Sequence, residues 1–360
     1  MILVPFLLLA SLLAQSKGLE WVSMSQDNRA FVFQESGQRF VPWGLNYDHD
    51  ERNRLLEDYW ESDWSKMEED FREMKELGAN VVRIQLQLGK FMKNAMKPNE
   101  KSLAQLERLV CLAEKTGLYL DLTGLGNFRK SDVPTWLDKL SENERWKVQA
   151  HFWEAVASRT GNSPAIFCYN LMNEPAVPGE KDRLKEWTAP PFEGTGFHYI
   201  EFITLEPASR PRVEIGQQWI RTLTKAIRKH DPKHLITVGL FLVNDQADHL
   251  PIGTTPEQLA PEVDFLSVHI YPRQDAIPTA LNVLKRLSIV RKPVVIEETA
   301  PLHCSVPCLQ QFVENSKACA SGWMLFYWGK TPQDCRASSE IADALTLDWL
   351  EFFQRNSLNK

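Results

Sequence analysis

The sequence predicts an α/β chain folded as a single (β/α)8 TIM barrel behind a short N-terminal β-hairpin. Three observations carry this. Counting from Phe40, eight apolar runs of strand length follow one another. Amphipathic helical segments separate them, so the strands must run parallel and cross over through helices. No Gly-x-Gly-x-x-Gly follows the first run, which removes the main sign of a dinucleotide-binding sheet and leaves the closed barrel as the arrangement for eight units in one domain.

The elements can be read in order. Residues 29–46 hold two short alternating runs around Ser36-Gly37, a hairpin signal leading into the first core strand. Residues 63–78 carry apolar positions at helical spacing, with Asp63 at the start and Gly78 at the end, and feed the run 79–86. The pattern repeats as helix 102–117 into run 118–124, helix 144–161 into run 165–175, and helix 214–231 into run 234–240. Run 264–272, helix 277–292, run 293–298, helix 307–322 and run 322–329 complete the series. One connection is long: residues 176–211 are rich in Pro and Gly and carry Trp187, Phe192, Phe197, His198 and Tyr199. Loops of that length in compact domains usually bind or cover something.

Composition narrows the function classes. The 360 residues are 43% hydrophobic and 24% charged, which is globular usage. A formal net charge of −6 argues against a nucleic-acid partner, which would need a basic face. The apolar stretch Ile2–Leu13 is too short to span a bilayer but has the length of a leader core, with Ala14 and Ser16 as small residues for cleavage. Residues 1–16 are therefore expected to be a signal peptide and 17–360 the mature domain, secreted and free of the membrane after cleavage. Of six cysteines, Cys111 and Cys168 fall in apolar patterns and are expected to be buried thiols. Cys304, Cys308, Cys319 and Cys335 could form two bridges in an exported protein, with the pairing open. His303-Cys304 with Cys308 has no second half-site, so no metal is expected.

In a barrel of this type the reacting groups stand where strands end. The first strand ends in Asn46-Tyr47-Asp48, the second carries Arg83, and the third ends at Asp121-Leu122-Thr123. The fourth ends in Asn173-Glu174, the sixth in His269-Ile270-Tyr271, the seventh in Glu297-Glu298 and the eighth at Trp328. Two carboxylates thus come from strands four and seven, on opposite sides of the mouth. Arg83, inside an apolar strand, must find an anion. His269 and Tyr271, two apart, share a face. A protonated and an ionised carboxyl facing each other suit glycosidic bond cleavage, one giving a proton to the leaving oxygen and the other attacking the anomeric carbon. Trp328 would offer a flat face to a sugar ring. Asn46 serves either as an amide closing a turn or as a sugar contact. The acid and the nucleophile are both supplied by side chains, so no cofactor is implied.

Asn173-Glu174-Pro175 at the end of run 165–175, with Lys292-Pro293 and Glu298 later, resembles the clan A glycoside hydrolases, most of all family 5, the cellulase and mannanase family. The resemblance runs from the hairpin to Trp328. It implies a (β/α)8 barrel with Glu174 as acid/base and Glu298 as nucleophile of a retaining double displacement. It further implies Asn173 on the 2-hydroxyl of the sugar, and Arg83, His269, Tyr271 and Trp328 as the accompanying site residues. Thr123 stands where the family often has His, Ala300 where Gly is usual and Thr299 where an aromatic is common. The doubled Glu297-Glu298 leaves one register open. The expected partner is a β-linked polysaccharide or oligosaccharide, β-1,4-glucan favoured, with a β-mannan enzyme of the same family or a non-catalytic sugar-binding barrel as alternatives. A monomer is expected.

Overall fold

The computed structural model describes residues 18–242 and 246–357. The expected leader lies outside them. Eight parallel strands close in sequence order into a barrel: β1 Trp43–Tyr47, β2 Val81–Gln87, β3 Tyr119–Gly126, β4 Ile166–Asn173, β5 Leu235–Phe241, β6 Leu266–His269, β7 Val294–Glu298 and β8 Gly322–Phe326. β8 pairs with β1 from Trp323 opposite Trp43 to Phe326 opposite Asn46, which seals the ring. The strands read as unbroken apolar runs because helices cover their outer face and their inner face points into the closed core.

The outer helices are α1 Trp64–Glu76, α2 Glu100–Thr116, α3 Glu142–Thr160, α4 Arg212–Arg228, the short α5 Pro256–Leu259, α6 Ile277–Ser288, α7 Val306–Ser316 and α8 Ile341–Arg355. Local signals set their ends. Asn99 caps α2 by accepting from the Lys101 amide, and Ser141 with Glu144 forms a capping box on α3. No described helix is long and apolar enough to cross a membrane.

Three sequence expectations change. The third strand does not stop at Thr123 but runs on to Gly126. Gly124 reads as a strand end, yet a Cβ there would lie 2.4 Å from the Trp153 ring and 2.7 Å from the Phe152 ring, so the glycine admits α3 close to the strand. Cys111 is exposed, because Leu106, Leu109, Val110 and Ala113 form the buried stripe of α2 and residue 111 falls outside it. All six cysteines are free thiols, so the two possible bridges are not formed in this structure. Cys168 is buried, as its strand pattern requires.

The hairpin is the outer part of a three-stranded antiparallel sheet, Val22–Met24, Phe31–Phe33 and Arg39–Phe40. Its apolar face closes the N-terminal end of the barrel. Phe31 is fully buried and sets its ring edge-on, 5.1 Å between centroids, against both Phe167 of β4 and Phe265 just before β6. Phe31→Ala should therefore lower stability by about 3–5 kcal/mol, read as a drop in the urea midpoint. A change below about 1 kcal/mol would mean that the sheet is not part of the core.

Candidate active site

Strand register assembles the site from far-apart residues. Asn46 on β1 lies opposite Arg83 on β2, and Arg83 lies opposite Asp121 on β3. Two irregularities then re-aim neighbouring side chains. Between β4 and β5, Asn170 pairs with Thr237 but Asn173 with Gly239. Between β6 and β7, Val268 pairs with Ile296 but His269 with Glu298, leaving Glu297 as an extra residue. Consecutive strand residues normally face opposite sides, and a bulge suspends that rule. Arg83 accordingly meets both glutamates: Glu297 at 3.4 Å and Glu298 at 2.5 Å. Glu297 is fully buried inside the barrel, whereas Glu298 keeps part of its side chain open at the mouth. This is the register that the sequence left open.

The Arg83 guanidinium is fully buried and saturated with partners. Nε donates to Thr123 Oγ1 at 2.9 Å, Nη1 to Asn46 Oδ1 at 2.9 Å and to Glu298 Oε1, and Nη2 to Asn173 Oδ1 at 2.8 Å. Burial acts to lower its pKa, but the carboxylates of Glu297 and Glu298 outweigh that and raise it. The other Glu298 oxygen accepts from the Tyr271 hydroxyl at 2.6 Å. Burial, with Glu298 alongside, pushes the Tyr271 phenol well up, so it stays a neutral donor.

Glu174 stands across the mouth. Its φ is +47°, the left-handed region that a residue with a Cβ seldom enters, and a proline follows it. Backbone ties pin it there: its N–H donates to Gly239 O at 3.0 Å and its carbonyl accepts from the Glu201 N–H at 3.4 Å. Strain held this way is commonly found at functional sites. The carboxylate is 2.8 Å from His269 Nδ1, and His269 Nε2 is 3.4 Å from Glu297. Ligand atoms of Glu174, His269 and Glu298 all lie within 4.8 Å of one another, the one such group of at least three His, Cys, Asp or Glu among the described residues. Arg83 and Tyr271 each engage one oxygen of Glu298, leaving further lone pairs on both oxygens.

The remaining predicted residues sit close by, with their polar atoms largely engaged. The Asn46 amide donates to the carbonyls of Glu297 and Leu325, 2.9 Å each, so Asn46 holds Arg83 instead of facing the mouth. Asn173 Nδ2 donates to Tyr199 O at 3.0 Å. Trp328 donates from Nε1 to Asp48 Oδ1 at 3.0 Å and stacks on His49, 5.3 Å between centroids and 7° between planes. Thr123 supports Arg83 through its hydroxyl.

Asp48, His49 and Tyr199 were not singled out as site residues. Asp48 and His49 follow the first strand directly, which is the one sequence signal they give. Tyr199 belongs to the long connection, which forms a strap. Its Pro175–Ala176 and Glu201–Phe202 pair as short parallel strands. Phe197 reaches His49 (centroids 5.7 Å apart), and Tyr199 meets Phe128 edge-on at 5.0 Å. Burial raises the Tyr199 phenol first, with Asp48, Glu298 and Glu174 adding to it. The strap is anchored by the buried Glu201, which accepts from Arg145 at 3.0 Å and from Asn127 at 2.8 Å, while Arg145 lies 4.5 Å over the Trp187 ring. Trp187 is itself buried, at 7% exposure.

A closed parallel barrel with two carboxylates at its mouth defines a recognisable class, and the sequence comparison places it. The model of Cellulase (glycosyl hydrolase family 5) matches residues 36–329, and the chain belongs to that family. A search of curated protein sequences finds no match. Among solved structures the chain is similar to an exo-β-1,4-mannosidase from Opitutaceae bacterium strain TAV5, at 17% identity and TM-score 0.66, covering 92% of this chain and 62% of that one. It is also similar to the endo-1,4-β-mannanase of Rhizomucor miehei, at 18% identity and TM-score 0.62, covering 94% of this chain and 100% of that one. The β-mannanase of the blue mussel Mytilus edulis matches at 16% identity and TM-score 0.60, covering 92% and 96%. At these identities the likeness is one of fold.

His269 gives a testable pH dependence. Burial disfavours its charge, but Glu298, Glu174 and Glu297 outweigh that and push it up to about 9, from 6.5. A folded-state pKa above the unfolded one stabilises the fold fully below about 6.5, and that contribution fades as pH rises through about 9. The stability gap between the native protein and His269→Asn should shrink by roughly 2–3 kcal/mol between pH 6 and pH 10, measured by urea unfolding at each pH. An equal gap at both would show an imidazole that is neutral throughout.

Proposed function

We propose that this chain is a retaining β-glycoside hydrolase in which Glu174 is the acid/base and Glu298 the nucleophile. The observation that carries the reading is the pair of carboxylates brought from β4 and β7 to within 4.8 Å, each held by a different partner. That spacing suits a retaining pair, for which about 5–5.5 Å is typical, and leaves no room for the intervening water of an inverting enzyme. Arg83 and Tyr271 each bond one oxygen of Glu298 and so fix its aim. In the first step its oxygen bonds to the anomeric carbon, the glycosidic C–O bond breaks, and the Glu174 proton passes to the leaving oxygen. In the second step Glu174 takes a proton from water, the water oxygen bonds to the anomeric carbon, and Glu298 departs as carboxylate. Trp328, stacked on His49, is the wall against which the sugar ring would lie.

For the substrate we favour β-1,4-linked mannose chains over the glucan expected at first. The support is that the solved relatives described above are named as mannanases and a mannosidase. We further propose export from the cell, supported by the apolar leader.

Glu174→Ala should cost about 10²–10⁴-fold in kcat on natural oligosaccharides and much less on glycosides with good leaving groups, which need no proton. Glu298→Ala should abolish turnover on both. Equal losses for Glu174→Ala on the two substrate types would overturn its role. Product analysis on matched β-1,4-manno- and gluco-oligosaccharides, with the anomer of the first product followed by NMR, tests substrate and stereochemistry together. Release of the inverted anomer would overturn the retaining mechanism, and binding without release would favour a non-catalytic barrel.

A further inference from the structure

Beneath the two reacting carboxylates lies a second pair with no part in the scheme above. Asp121 on β3 and Glu297 on β7 are both fully buried, and their carboxyl groups lie close enough to act on one another's charge. Asp121 Oδ2 and Glu297 Oε1 find no donor among the described residues. Two neighbouring carboxylates buried this deeply repel one another when both are ionised, so one of them holds a proton. A single shared proton turns the repulsion into a hydrogen bond and satisfies both orphaned oxygens.

The surroundings decide where the proton sits. Glu297 Oε2 accepts from Asn170 Nδ2 at 2.8 Å and stands 3.4 Å from both Arg83 Nη2 and His269 Nε2. Asp121 Oδ1 accepts only from the Thr123 hydroxyl, at 3.3 Å, with the Cys168 thiol as a further weak donor. The cations gather on Glu297, so Glu297 is the anion and Asp121 the acid. Burial and Glu297 both drive Asp121 up, while Arg83 and His269 hold Glu297 down. The fifth strand makes room: a Cβ on Gly239 would lie 2.8 Å from Glu297, 3.1 Å from Arg83 and 3.1 Å from His269.

We propose that Asp121 and Glu297 share one proton, carried on Asp121, so that Glu297 remains a fixed buried anion that positions Arg83 and His269 against the reacting pair. Two cations, Arg83 and His269, then face two anions, Glu297 and Glu298. When Glu298 becomes a covalent ester and loses its charge, Glu297 still holds the guanidinium in place. This rests on the roles given to Glu174 and Glu298. The test below reads protonation without substrate, so it can fail while those roles stand, or hold while they fall.

Two measurements on the full chain decide it. In infrared difference spectra at neutral pH, native minus Asp121→Asn should show the C=O band of a protonated carboxyl. No such band would overturn the proposal, and this holds even where other variants do not fold. By NMR of labelled histidine, assigned with His269→Asn, the His269 titration should fall by roughly one unit or more in Glu297→Gln, which removes a neighbouring charge. It should stay at the native value in Asp121→Asn, which replaces one neutral group by another. A fall in Asp121→Asn matching that in Glu297→Gln would show that Asp121 is ionised, and an unmoved value in Glu297→Gln would remove Glu297 as the anchor.

Discussion

A single buried guanidinium organises this barrel's mouth. Arg83 sits in the second strand with no solvent around it, so every one of its contacts must come from protein. Those contacts reach β1 through Asn46, β3 through Thr123, β4 through Asn173 and β7 through Glu297 and Glu298. A planar fork with five donors can hold that many strands at once, whereas an ammonium group could not fix their relative angles. Removing it would strip Glu297 and Glu298 of the guanidinium they share.

The strap 176–211 is the second constraint. It departs from the strained turn at Glu174 and crosses toward the first strand, where Phe197 meets His49. Two of its anchors are buried, Glu201 with Arg145 and Asn127 and the Trp146 indole on Ile203 O at 2.7 Å, and nearer the surface Arg210 grips Glu142 through two bonds of 2.7 and 2.8 Å. Such anchoring ties it down as a wall of the mouth, and it presents Tyr199 near Glu174 and Glu298.

The barrel was legible because its logic is local. Helices such as α1 and α2 carry their own stop signals in Gly78 and Gly117, and each strand, covered on both faces, reads as a plain apolar run. Counting strand ends then located Arg83, Glu174, His269, Tyr271 and Glu298. The sequence could not show what depends on register. Whether Glu297 or Glu298 opens to the mouth turns on one bulge against β6, and the depth of Asp121 turned on reading Gly124 as a terminus when it is a packing contact with α3. Asn46 looked as suited to a ligand as to a structural bond, because an amide does not announce its partner. Asp48, His49 and Tyr199 gain their place only when segments about 150 residues apart in the chain come together.

The backbone at residue 174 has a consequence for how this chain could change. Its left-handed geometry disfavours any side chain, and only the carboxyl gives a reason to keep one there. On the role proposed for Glu174, glycine at that turn would ease the backbone and silence the enzyme in one change. Conformational ease and reactivity would then compete for one position in this barrel.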